Sequence, residues 1–180
     1  MTSSPQVQDL KLLLSVFREG LIQGVISKEE IVAWADQLIE EADEPDYFLM
    51  ELALCNDVNC LVELLDKHVI PTANPIRDRV LLALVYQRLP IDEVKEVERV
   101  ANLVDNILSA KKLTDFENSS IYTFDDYYVH YPPEFRELKV ELKNFLTIYN
   151  PFTLQNYTHW VNINEQVLEL LKEKESQIRS

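Results

Sequence analysis

Glycine is nearly missing from this chain of 180 residues, which has only Gly20 and Gly24. A loop-rich all-β fold and a Gly-lined phosphate cradle both need more. Cysteine is as scarce. Cys55 and Cys60 are too few for a disulfide framework, and C-x4-C with no further Cys is not a zinc pattern. Both fall on apolar helical stretches, where a free cysteine behaves as a small core residue, and a reducing cytoplasm fits that usage. No run approaches the roughly 18 apolar residues of a membrane span. The opening MTSSPQVQ lacks the basic-then-apolar order of a signal peptide. Basic residues are also in deficit, with Lys and Arg 17 against Asp and Glu 31, a net charge of −14 and a pI near 4.6. Direct nucleic-acid binding and anionic membrane surfaces are disfavoured, because both need a basic face.

What the chain does contain is helical periodicity and acid. The acids are concentrated: residues 28–67 carry twelve acids against two bases, and residues 113–137 six against one. Those two segments hold all of the excess charge, and the rest of the chain is close to neutral.

The first of them is built on Ser27 to Asp46. Ile31, Trp34, Ala35, Leu38, Ile39 and Ala42 recur at the spacing of one helical face. Ser27 followed by Glu30 is a capping box, and Pro45 marks the stop. Glu40, Glu41, Asp43 and Glu44 crowd the C-terminal end, where the dipole is negative and each acid costs up to about 1 kcal/mol. Asp36, Glu40 and Glu44 also follow one another at i, i+4, an unfavourable like-charge spacing. Residues that break local rules without compensation are where function is to be sought.

The remaining chain reads as further helices. Leu10 to Leu21 comes first, with Gly20 and Gly24 loosening the chain after it. Asp46 caps a short helix, YFLMELALC, which is apolar on nearly all sides and so expected to be buried. Asp57 opens a fourth. Asn74-Pro75 starts a central core helix through the run Val80 to Tyr86. Asp92 to Lys112 is regularly amphipathic. Residues 113–133, LTDFENSSIYTFDDYYVHYPP, show no helical period and read as a long acidic, Tyr-rich loop or a short hairpin. Helices return from Glu134 to Tyr149 and from about Asn162 to Ile178. The expected architecture is all-α: one irregular domain, 1–180, of about eight helices.

Chemistry is thinly represented. Cys55 and His68 are the one nucleophile–base pairing to weigh, but both sit in apolar helical patterns and read as core. His68, His130 and His159 lack the Glu-x-x-His spacing of a bundle metal centre, and Asp43-Glu44-Pro45-Asp46 lacks the alternation and Gly of a calcium loop. The expectation is therefore no catalytic residue, no metal and no cofactor. The candidate sites are for a partner: Asp36, Glu40, Glu41, Asp43 and Glu44 on the acidic helix, and Asp125, Asp126, Tyr127, Tyr128 and Tyr131 in the second segment. Tyr is amphipathic, rigid and enriched at interface centres.

The stretch Gly24 to Asp36, GVISKEEIVAWAD, with Glu51-Leu52-Ala53-Leu54, resembles a pattern in small acidic all-helical bacterial proteins of toxin-immunity and uncharacterised families. It spans about a third of the chain. The acidic helix with its Tyr-Tyr pair is also similar in kind to the shorter colicin DNase immunity proteins, although here Val129-His130-Tyr131 separates Tyr128 from the prolines. The resemblance implies inhibition by binding a basic, nuclease-like toxin surface in the cytoplasm. The alternative is a regulatory or scaffold helical subunit that dimerises and has no toxin partner.

Overall fold

The computed structural model describes residues 9–69, 72–91, 94–108, 114–130 and 135–178. Among them lie nine α-helices and no strand, the all-α architecture that the periodicity indicates. The helices gather in two compact units, Met1–Thr72 and Ala73–Ser180.

The first unit holds α1 (Lys11–Ile22), α2 (Lys28–Glu41), α3 (Tyr47–Leu54) and α4 (Val58–Asp66). Its ends are set by local chemistry. The Ser27 hydroxyl accepts from the Glu30 N–H at 3.3 Å while the Glu30 carboxylate accepts from the Ser27 N–H at 3.0 Å. Asp46 accepts from Phe48 N–H and Asp57 from Cys60 N–H, both at 2.9 Å, so two further starts fall where the sequence puts them. α2 packs chiefly on α3 and α1 on α4. Leu13, Leu14, Phe17, Ile31, Ala35, Leu49, Leu52, Leu61 and Leu65 form the core, and Phe17 meets Trp34 edge-on at 5.0 Å. Arg18 of α1 pairs with Asp66 at the end of α4.

The two glycines tighten the chain rather than loosen it. Gly24 sits at φ +67°, the left-handed region. Its N–H donates to Leu21 C=O at 3.1 Å, and Val25 N–H donates to Gly20 C=O at 2.8 Å, which is the paired closure of a Schellman motif. Gly20 is needed for approach: a Cβ there would stand 2.5 Å from Cδ1 of Ile26.

Two more expectations are corrected here. α3, apolar on nearly all sides, is expected to be buried. Phe48, Leu49 and Leu52 are, but Tyr47, Met50 and Leu54 on the other side are exposed, because an eight-residue helix at the edge of a four-helix unit has neighbours on one side only. The cysteines were expected to be free. Instead Cys55, which closes α3, is bonded to Cys60 in the first turn of α4, their Cα atoms 5.7 Å apart, within the reach of a disulfide. The tight α3–α4 turn brings them together, a proximity that spacing alone does not reveal.

The second unit holds α5 (Pro75–Arg88), α6 (Val94–Leu108), α7 (Asp115–His130), α8 (Phe135–Thr147) and, after a 3₁₀ turn at Tyr157–His159, α9 (Trp160–Ile178). Asn74 caps α5 by accepting from Ile76 and Arg77 N–H, with Pro75 at the first helical position. Val80 to Val85 are all buried, so α5 is the central helix of this unit, in contact with α6, α8 and α9.

Within the segment read as a loop or hairpin, Asp115–His130 is a helix, while residues 113 and 131–133 lie outside the described residues. Thr114 and Glu117 make a second capping box: Glu117 N–H donates to the Thr114 hydroxyl at 3.2 Å, and Thr114 N–H donates to the Glu117 carboxylate at 3.0 Å. Glu117 and Phe124, seven residues apart, are both buried on one face. Phe116 and Phe124 reach Phe145 of α8 at ring distances of 6.2 and 5.4 Å. The rest of the helix is mostly polar or Tyr, which masks the period.

Candidate functional site

α2 ends one turn earlier than its sequence suggests. Ala42 is extended, φ −101° and ψ 134°, so Asp43 and Glu44 lie in the connection to α3. Only Glu40 and Glu41 face the negative end of the dipole, and the i, i+4 series stops at Asp36–Glu40. The physical reason is the one that makes the acids notable: with no base in the last turn and acids at its end, continuation is disfavoured. Gln37 offsets part of this by donating to Glu41 at 2.8 Å. Asp36, Glu40, Glu41, Asp43 and Glu44 are all exposed. The structure thus puts all five within one helix end and the turn that follows.

Asp125, Asp126, Tyr127 and Tyr128 fall on the C-terminal half of α7. Tyr131 lies outside the described residues. The two sets of partner residues belong to different units, the first to α2 and its following turn, the second to α7.

A cluster that the sequence reading missed lies inside the second unit. Arg79 of α5, buried at 3% exposure, makes a two-pronged contact with Glu117 of α7, Nε to Oε1 at 2.9 Å and Nη2 to Oε2 at 2.8 Å. Its Nη1 donates to Oδ1 of Asn164 on α9 at 2.7 Å. The Tyr149 hydroxyl, just past α8, donates to Oε1 of Glu117 at 3.0 Å, and the Thr114 hydroxyl donates to Oε2 at 3.0 Å. Beside it Arg77 pairs with Asp78 at 2.9 Å, both buried. One carboxylate thereby ties together α5, the start of α7, the end of α8 and, through Arg79, α9.

The electrostatics follow from burial and pairing. Burial alone would raise the Glu117 carboxyl; the hydrogen bonds and charge of Arg79, with the Thr114 N–H and Tyr149 hydroxyl, outweigh it and hold the group below its ordinary value. Burial alone would lower Arg79, and the Glu117 hydrogen bonds and charge outweigh it, so the guanidinium stays charged. Tyr149 is pushed well above its ordinary value, first by burial and then by the adjacent Glu117 charge. A carboxylate that accepts five hydrogen bonds has no lone pair left to take a proton from a substrate. The cluster is a clamp between helices. A signal for it stands in the sequence: Arg77-Asp78-Arg79 opens a helix otherwise fit for the core, and buried charges are paired.

Next to this clamp α7, α8 and α9 leave an open groove of about 680 Å³, with Phe116, Phe124 and Phe145 on its floor and Glu141 and Lys174 among its lining. The hydroxyls of Ser120 and Thr123 donate to carbonyls of their own helix at 3.0 Å each. In the first unit the Cys55–His68 pairing weighed above is not assembled as a nucleophile and base. Cys55 Sγ is bonded to Cys60, and the His68 ring packs on Phe48 at 4.3 Å. No helix among the described residues is long and apolar enough to cross a membrane. Comparison with protein-family models, with curated proteins and with solved structures finds no match for this chain.

Proposed function

We propose that this chain is a non-catalytic protein-binding protein whose acidic helix end covers a basic partner, in the manner of an immunity protein holding a nuclease-like toxin in a bacterial cytoplasm. The observation that carries the reading is the exposure of Asp36, Glu40, Glu41, Asp43 and Glu44 along the end of α2 and the turn after it, with Glu40 and Glu41 against the dipole. Such a surface steers a cationic partner and raises its association rate, at some expense to the stability of the helix. Asp125, Asp126, Tyr127, Tyr128 and Tyr131 stay in the proposal as a second contact. The cytoplasmic placement runs against the Cys55–Cys60 bond, a linkage that oxidising compartments preserve.

The test pairs stability with capture for the variant Glu40→Lys/Glu41→Lys. Cations at the C-terminal end of α2 should stabilise the fold by about 0.3–1 kcal/mol each. Capture of a basic protein from a lysate of the host should fall at least tenfold, with the gap closing as salt is raised. Undiminished capture by a stabilised variant sinks the binding role of this helix. Recovery of further copies of the chain and nothing else would favour the alternative, a regulatory or scaffold subunit that dimerises.

A further inference from the structure

α3 presents a surface that its composition does not explain. An apolar helix belongs in a core, yet Tyr47, Met50 and Leu54 are 72%, 37% and 76% exposed. Single exposed apolar side chains are ordinary. These three are not scattered. At i, i+3 and i+7 they fall within an arc of about 60° and over a length of about 10 Å, one continuous stripe along the helix. The opposite stripe, Phe48, Leu49 and Leu52, is fully engaged. α3 therefore has two apolar faces, one packed chiefly on α2 and also on α4, the other exposed.

We propose that the open stripe of α3 seats an amphipathic helix of another protein, one whose apolar face is bordered by Lys and Arg. The proposal rests on the basic-partner reading above and names the part of the partner that docks. Apolar side chains at i, i+3 and i+7 are the pattern by which one helix packs on another. The charge decides whose helix it is. The unit that carries α3 has fourteen acids and four bases, and the exposed Asp43 and Glu44 lie in the connection that leads into the helix. A second copy would set this negative unit against its own like, which disfavours a symmetric pair. A cationic border on the incoming helix would meet the acids while its apolar face covers Tyr47, Met50 and Leu54. Contact through one short stripe implies a modest, exchangeable complex rather than a permanent one.

The experiment uses the full chain and three synthetic peptides of equal length. One is a helix with a leucine stripe bordered by Lys. The second keeps the stripe and replaces Lys with Glu. The third keeps the Lys content and scrambles the stripe. The Lys-bordered helix should bind at least tenfold more tightly than either of the others, and Tyr47→Ser/Leu54→Ser should lose at least tenfold of that binding with an unchanged thermal midpoint. Equal binding of the scrambled peptide overturns the α3 seat and leaves the basic-partner reading standing. Equal binding of the Glu-bordered helix overturns the charge argument, and with it that reading. Binding of none of the three overturns the seat. Sedimentation of the chain as a dimer that the Tyr47→Ser/Leu54→Ser variant abolishes assigns the stripe to a second copy and overturns the proposal as well.

Discussion

Single residues carry more of this fold than their number suggests, and Glu117 carries the most. Its carboxylate is fully buried and is bound by Arg79, Thr114 and Tyr149. Glu117→Gln takes from the buried Arg79 guanidinium its hydrogen-bonded counter-charge and leaves only Asp78, shared with Arg77, a change worth about 3–5 kcal/mol. Arg79→Met leaves the reverse problem and should cost about as much, a large part of the roughly 5–15 kcal/mol by which a domain is stable. The double replacement removes both charges at once and should cost clearly less than the two singles together. Urea unfolding of the four proteins reads this coupling. Strict additivity would show that the two groups act independently and that the clamp is only a coincidence of packing. The sequence shows the charges, Arg77-Asp78-Arg79, at the head of a core helix; it cannot show that Glu117, 38 residues away, is the partner.

At the scale of elements, what is legible follows from how local the determinant is. Ser27 with Glu30, Asp46, Asp57 and Asn74-Pro75 act within a turn of themselves, and the helices start where they stand. α7 has the same kind of start, Thr114 with Glu117, but its polar and Tyr-rich interior hides the face that Phe116 and Phe124 form against α8, with Glu117 buried beside them. That face exists only because α8 is there to meet it. The open side of α3 and the bond between Cys55 and Cys60 are illegible for the same reason: each depends on which element is absent or near, not on the segment itself. The helical assignment of α7 makes a direct prediction for amide exchange. The N–H groups of residues 119–124, bonded within the helix and anchored through Phe124, should be protected well above the rate of an open loop. Exchange at the unprotected rate across those positions would restore the loop reading and remove Glu117 from a rigid clamp.

For the whole molecule, the clamp and the net charge set opposite demands on pH, and their balance is measurable. Glu117 has a folded pKa below its ordinary value near 4.5. Its stabilisation is complete above that value and is lost as pH falls through the lower, folded one. Tyr149 has a folded pKa raised well above 10. Its contribution is complete below 10 and disappears as pH rises toward the folded value, because the unfolded chain gives up that proton first. Self-repulsion acts the other way in acid. The net charge of −14 shrinks toward zero near pH 4.6, which relieves crowding around α2. That relief is shared among exposed groups and is screened within about 8 Å at physiological salt, whereas the Glu117 penalty falls on one buried ion pair. Stability should therefore hold from about pH 5 to 10, dropping below the carboxylate range and again above 10. The assignment of the two limbs is separable. Tyr149→Phe should flatten the alkaline limb and keep the acid one, while Glu117→Gln, less stable throughout, should flatten the acid limb. Urea midpoints from pH 3 to 11 for the three proteins decide it. An acid limb unchanged in Glu117→Gln would place the proton-sensitive group elsewhere, and the clamp would no longer account for how this fold fails in acid.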